Sequence, residues 1–156
     1  MTNLTCLTES ICSWNFFVAI SDSDVAVSVK FNFMSEQGNI TLDSSYYDIK
    51  HTWLSGKWSL ESDGKVIAIA IKPNPLTRFF EISYNNRKLL VLRAESSFTR
   101  SFAIEQDNKF LGTIKPMHPF TRRATVDCSS SVPIPVQISL FWLTVLMWKR
   151  AAETNK

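Results

Sequence analysis

Hydrophobic residues along this chain mostly alternate with polar ones in short runs, and only the last run departs from that pattern. Val25, Val27, Val29, Phe31 and Phe33 alternate with Ala26, Ser28, Lys30 and Asn32. A period of two marks a half-buried strand. Before it, Trp14, Phe16, Val18 and Ile20 share one parity, and Ser21-Asp22-Ser23-Asp24 makes a turn. Glu36-Gln37-Gly38-Asn39 predicts the next turn. A short strand near Ile40–Leu42 follows, then one over Tyr46–Trp53 with Tyr47, Ile49, His51 and Trp53 on one face. Three hairpins come next: 58–62 with 65–71 around Asp63-Gly64, 79–84 with 87–93 around Asn85-Asn86, and 101–106 with 109–114 around Asp107-Asn108. Asn, Asp and Gly tolerate the positive φ such tight turns demand. A last strand over 121–128 brings the number to about eleven. Residues 1–13 show no such pattern and read as a flexible lead-in to one domain over 14–152.

The final run is helical. From Val136 to Trp148 apolar residues fall on every side of a helical wheel, interrupted only by Gln137, Ser139 and Thr144. Pro133 and Pro135 suit an extended approach and a first turn, so the helix spans about 135–150. A helix apolar all round must be surrounded by protein or by lipid. Three observations favour protein. Thirteen residues span about 20 Å, short of the roughly 30 Å hydrocarbon core of a bilayer. Lys149-Arg150 would stay cytoplasmic and put the preceding domain outside. Yet the first ten residues hold neither a basic region nor a long apolar run, so no signal peptide is expected and the protein reads as cytoplasmic. Finally, the strands need a core, and this is the largest apolar element they have. Lys149 and Arg150 also suit the negative end of a helix dipole. The alternative is a single-pass membrane protein whose β domain is anchored by residues 132–148.

An internal repeat organises the middle of the chain. Leu60-Glu-Ser-Asp-Gly-Lys65, Ile71-Lys-Pro73 and Pro75-Leu-Thr-Arg78 recur as Ile104-Glu-Gln-Asp-Asn-Lys109, Ile114-Lys-Pro116 and Pro119-Phe-Thr-Arg122. Two copies are too few for a solenoid, and suggest a hairpin-plus-strand unit used twice in one closed sheet. In the strand 65–71, Ile67, Ile69 and Ile71 alternate with the smaller Val66, Ala68 and Ala70. Small residues would let the sheet approach a central helix closely.

With its repeated strand, Asp-Gly or Asp-Asn turn, Lys, strand unit and its apolar C-terminal helix, the chain resembles the tubby C-terminal-like superfamily. That superfamily includes tubby, the phospholipid scramblases and the plant LURP-one-related proteins. The likeness spans roughly residues 14–152, and the ending from Phe141 to Arg150 is similar to bacterial proteins of this general type. The resemblance implies a mostly β fold: a closed antiparallel barrel of about 11–12 strands around a central hydrophobic C-terminal helix. The chain is far shorter than tubby, so no lipid-binding residue transfers by position.

Composition narrows the chemistry. The chain has 156 residues, 45% hydrophobic and 20% charged, the profile of one globular domain. Four glycines exclude Gly-rich phosphate loops. Cys6, Cys12 and Cys128 are odd in number and lack zinc spacing, so reduced thiols are expected. His51 lies on the apolar parity of its strand and His118 lies between loop prolines, neither with further ligands nearby. The carboxylate pairs Glu61/Asp63 and Glu105/Asp107 bracket hairpin turns, where Asp serves the backbone first. No catalytic constellation, metal set or cofactor motif emerges, and an enzyme is not expected.

Charge is the remaining signal. The net of +3 conceals 3 basic and 8 acidic residues in 1–64, then 11 basic and 4 acidic in 65–126. The basic residues of the repeat, Lys72, Arg78, Lys115 and Arg122 with Arg123, could form cationic spots at one end of the sheet. Lys and Arg near backbone amides are the ordinary way to hold phosphate; the competing role is to cap loops by bonding local carbonyls. The expected function is a non-enzymatic, membrane-peripheral binding module. Its partner would be an anionic phospholipid or a protein, with no nucleic acid expected.

Overall fold

A computed structural model of the chain describes residues 1–52, 54–86, 88–96 and 99–154. Among these residues the elements are β1 (Thr2–Thr8), β2 (Phe16–Ile20), β3 (Val27–Asn32), β4 (Gln37–Leu42), β5 (Ser45–His51) and β6 (Lys57–Ser62). They continue as β7 (Lys65–Ile71), β8 (Phe79–Tyr84), β9 (Lys88–Ala94), β10 (Phe102–Gln106), β11 (Lys109–Pro116), β12 (Ala124–Cys128) and α1 (Ile134–Thr154). Each strand pairs antiparallel with the next, and β1 pairs with both β2 and β12 to close a twelve-stranded barrel. Twelve strands about 4.8 Å apart and tilted by about 40° close on a ring roughly 24 Å across. A helix with its side chains is about 10–12 Å wide. One helix plus one layer of inward strand side chains therefore fills the ring.

That is what α1 does. Every residue from Val136 to Trp148 is buried. Phe141 meets Phe16 edge-on at 4.9 Å, and Trp142 stacks on Phe31 at the same centroid distance. Ala68 and Ala70 turn inward, so the small face of β7 lies toward the helix and Ile71 faces out. The three polar helix residues have local partners. Ser139 Oγ donates to the Val136 carbonyl, Thr144 Oγ1 to the Leu140 carbonyl, and Gln137 Nε2 to the Val132 carbonyl (2.7, 2.9 and 2.9 Å). Hydroxyls bonded back into their own helix can be buried without leaving a donor unmet. Among the described residues no helix is long and apolar enough to cross a membrane. The anchor expected as an alternative over 132–148 would need this segment in lipid; here it is enclosed by strands.

Two expectations from the sequence are corrected. The lead-in over 1–13 contains β1, the strand that completes the barrel, with Leu4 and Cys6 fully buried. Only two inward side chains mark it, and one is a cysteine, which packs as a small hydrophobe. The turn expected at 36–39 falls earlier, with Glu36 at φ 54°, and Gly38 lies within β4. A Cβ at Gly38 would stand 2.5 Å from Trp142 Nε1 and press on the Lys30 carbonyl, to which that indole N–H donates at 3.2 Å. Here the glycine makes room for the central tryptophan rather than making a turn.

Candidate functional site

The barrel has two unlike ends. At one, the connections are 21–26, 43–44, 63–64, 85–87, 107–108 and the passage 129–133 into α1. Asp43, Asp63, Asn85, Asn86, Asp107 and Asn108 there have positive φ, as does Gly64. At the other end lie the connections 9–15, 33–36, 52–56, 72–78, 95–101 and 117–123, together with the C-terminus of α1. We call these the turn end and the loop end. Between them, beside Ser139 and Leu143, the space behind Ala68 and Ala70 is about 20 Å³, enough for about one water.

Charge is uneven along the same axis. Turn-end connections carry Asp22, Asp24, Asp43, Asp63 and Asp107, and the exposed Lys65, Lys88 and Lys109 open the strands that leave three of these turns. The loop end carries Lys72, Arg78, Arg100, Arg122, Arg123, Lys149 and Arg150 against Glu9, Glu36, Glu95 and Glu153. Three of those carboxylates are paired: Glu9 with Lys30, Glu153 with Lys149 at 3.4 Å, and Glu36 in a two-pronged contact with Arg150 at 2.7 and 2.6 Å.

Three arginines connect the loops in sequence around the rim. Arg78 donates to the Thr99 carbonyl at 2.7 Å and to the Ser96 carbonyl in the following loop. Arg100 donates to the Pro119 and Thr121 carbonyls of the next, at 2.8 and 2.6 Å. Arg122 donates to the carbonyl of Ile11 in the β1–β2 loop. Each also lies over an aromatic ring: Arg78 over Phe102, Arg100 over Trp148 at 4.5 Å, and Arg122 over Trp14 at 4.7 Å. A planar fork of donors suits paired carbonyls, and the guanidinium face suits a ring. The side chains of the helix end join the array, with Lys149 over Trp14 and Phe33 and Arg150 over Trp58.

The residues singled out from the repeat all lie at or beside this end, in three different situations. Arg78 and Arg122 hold loop carbonyls. Lys72 is 7% exposed, and its ammonium donates to the Asn74 carbonyl at 2.7 Å. Burial, and secondarily the neighbouring Arg150, hold its pKa below the usual lysine value. Lys115 and Arg123 are exposed, and their side chains make no hydrogen bond or ion pair among the described residues. Lys72 and Arg150 line a hollow of about 360 Å³ with Leu54, Gly56, Trp58 and Pro75. A second, about 270 Å³, lies between the 9–15 and 117–123 loops against Arg122 and Arg123.

Arg100 escaped the sequence reading. It stands midway between Arg78 and Arg122, and the repeat of Leu60–Arg78 as Ile104–Arg122 does not include it. Thr77-Arg78, Thr99-Arg100 and Thr121-Arg122 recur every 22 residues, one hairpin at a time, which is the signal that would have found it. His51 is tied down by the Ser55 carbonyl at 2.8 Å from Nε2 and by a stack on Trp58. Among the described residues no group of three His, Cys, Asp or Glu side chains could hold a metal. Burial raises the pKa of the Cys6 and Cys128 thiols, that of Cys128 to about 11, while Cys12 is exposed. Comparison with protein-family models, curated proteins and solved structures returns no match.

Proposed function

We propose that the chain is a non-enzymatic, tubby-like binding module that meets the acidic surface of a membrane with the loop end of its barrel. The observation that carries this reading is the uneven charge along the axis, with an excess of cations at the loop end and aspartates interleaved with Lys65, Lys88 and Lys109 at the other. An acidic bilayer attracts nearby cations by about 1 kcal/mol each. A molecule with its cationic excess at one end is drawn in with that end first. Carbonyl bonds do not remove the charge of Arg78, Arg100 or Arg122, because a carbonyl accepts a hydrogen bond without neutralising the cation. Lys115 and Arg123 hold no loop and are free to contact headgroup phosphates.

Co-sedimentation with vesicles tests this. The protein should pellet with vesicles containing roughly a third acidic lipid and remain in solution with neutral ones. Most charge-driven binding should be lost near about 0.5 M salt, where screening is strong. Replacing Lys115 and Arg123 together by Ser should weaken pelleting with an unchanged melting curve. Pelleting with neither kind of vesicle would end this reading and leave a protein partner as the better one, and equal pelleting with both would remove charge as its basis.

A further inference from the structure

Five large apolar side chains stand almost wholly exposed at the rim of the loop end: Ile11 92%, Met34 95%, Leu54 85%, Leu76 91% and Phe120 93%. Each comes from a different loop. Exposed large hydrophobics on the strands, such as Phe17, Val66 and Phe110, reach no more than 60% and are scattered over the outer wall. Single exposed apolar residues are ordinary. One at the tip of five different connections on the same end is an arrangement.

The backbone holds these tips outward. The amide of Met34 donates to Asn32 Oδ1, that of Leu76 to Asn74 Oδ1 and that of Phe120 to His118 Nδ1 (3.2, 2.9 and 3.1 Å). In each case the acceptor is two residues earlier, a local turn that fixes where the tip points. The arginine series reinforces it, since Arg122 grips the carbonyl of Ile11 itself and Arg100 the carbonyl just before Phe120. Leu54 is held at φ 59°, a region unfavourable to a leucine. These loops are organised to present apolar side chains to the outside.

We propose that the five tips enter the interfacial layer of an acidic bilayer, reaching the upper acyl chains while the arginines behind them lie at the level of the phosphates. This rests on reading the loop end as the membrane-facing end. The order of chemistry supports it. Arg78 and Arg122 each follow a tip by two residues, and Arg150 shares a hollow with Leu54. Apolar outermost and cation one layer behind is the sequence of environments met on entering a bilayer with anionic headgroups. A rim roughly 24 Å across with separate apolar points suits a fluid partner better than the contiguous apolar core of a protein interface.

The chain carries its own probe position. Cys12 adjoins Ile11 and is exposed, while Cys6 and Cys128 are buried, so a thiol-reactive, environment-sensitive fluorophore should label Cys12 selectively. On acidic vesicles its emission should shift to the blue and be quenched by nitroxides in the acyl chains. Replacing Leu54, Leu76 and Phe120 together by Ser should leave the melting curve unchanged, abolish that quenching and lower vesicle affinity about tenfold or more. Pelleting without quenching in the labelled chain would overturn the insertion and leave the charge reading intact. Quenching with neutral and acidic vesicles alike would support insertion and overturn the charge reading. Absence of both would end both. Concentration-dependent self-association without quenching, lost in the triple variant, would overturn insertion in favour of a second copy of this chain covering the tips.

Discussion

The turn end and the loop end are built on the same strands, yet the chain uses them differently. At the turn end four hairpins close in two or three residues, and what stands there is what a tight reversal needs: Asp, Asn and Gly at positive φ. At the loop end the same strands are joined by four to seven residues, more than a reversal requires. Those extra residues carry the arginine contacts, the apolar tips and the hollows. The contrast separates residues that serve the fold from residues that the fold alone does not demand. Asp63 and Asp107 belong to the first group, Leu76 and Phe120 to the second.

The most drastic way to break the comparison is to remove what both ends share. Trp142 packs on Phe31 at the centre of the barrel and is fully buried. In Trp142→Asp an unpaired charge would enter the fully buried core of the barrel, at a loss of about 5 kcal/mol or more. We expect both ends to be lost together: no soluble, cooperatively melting protein. A Trp142→Asp variant that expresses and melts cooperatively would show that the wall stands without its helix.

Arg100 separates the ends. Arg100→Ala removes two carbonyl contacts and a cation–π contact with Trp148, together worth about 2–3 kcal/mol. Hydrogen exchange should accelerate in 95–101 and 117–123, with the amides beside Asp63 and Asp107 unchanged. Uniform acceleration at both ends would mean that the arginine series supports the whole barrel and not the loop end alone.

The difference between the ends also explains what the sequence could disclose. Turn-end connections depend on residues within two positions of one another, so Asp63-Gly64, Asn85-Asn86 and Asp107-Asn108 announce their hairpins directly. The helix is equally plain, because an apolar residue on every face of Val136–Trp148 admits only enclosure. Loop-end contacts join residues far apart in the chain, as Arg122 with Ile11 or Arg150 with Glu36, and no local pattern contains them. The repeat located Lys72, Arg78, Lys115 and Arg122 at one end but gave no sign of which grip carbonyls and which stand free. β1 stayed hidden because its inward pair, Leu4 and Cys6, is short and half disguised as a thiol. Gly38 looked like a turn because the reason for it, the indole of Trp142, lies over a hundred residues away.

Leu54 offers the smallest effect and the sharpest distinction. It sits at φ 59°, where the Cβ of an L-residue crowds the neighbouring carbonyl at about 1–2 kcal/mol, and it is 85% exposed, so burial returns nothing. Asparagine tolerates this conformation far better and is the residue the turn end uses for it, at Asn85, Asn86 and Asn108. If the loop end were merely another set of reversals, Leu54→Asn would be a pure improvement. We expect it to raise stability by up to about 1 kcal/mol, read as a small upward shift in Tm, and at the same time to weaken vesicle binding. A gain in stability with unchanged binding would remove Leu54 from the docking rim and assign the strain to loop geometry alone. A loss of stability would mean that Leu54 makes contacts in solution that its exposure does not suggest. Opposite movements of the two measurements are the result that follows from a leucine kept in a costly conformation for what it touches outside the molecule.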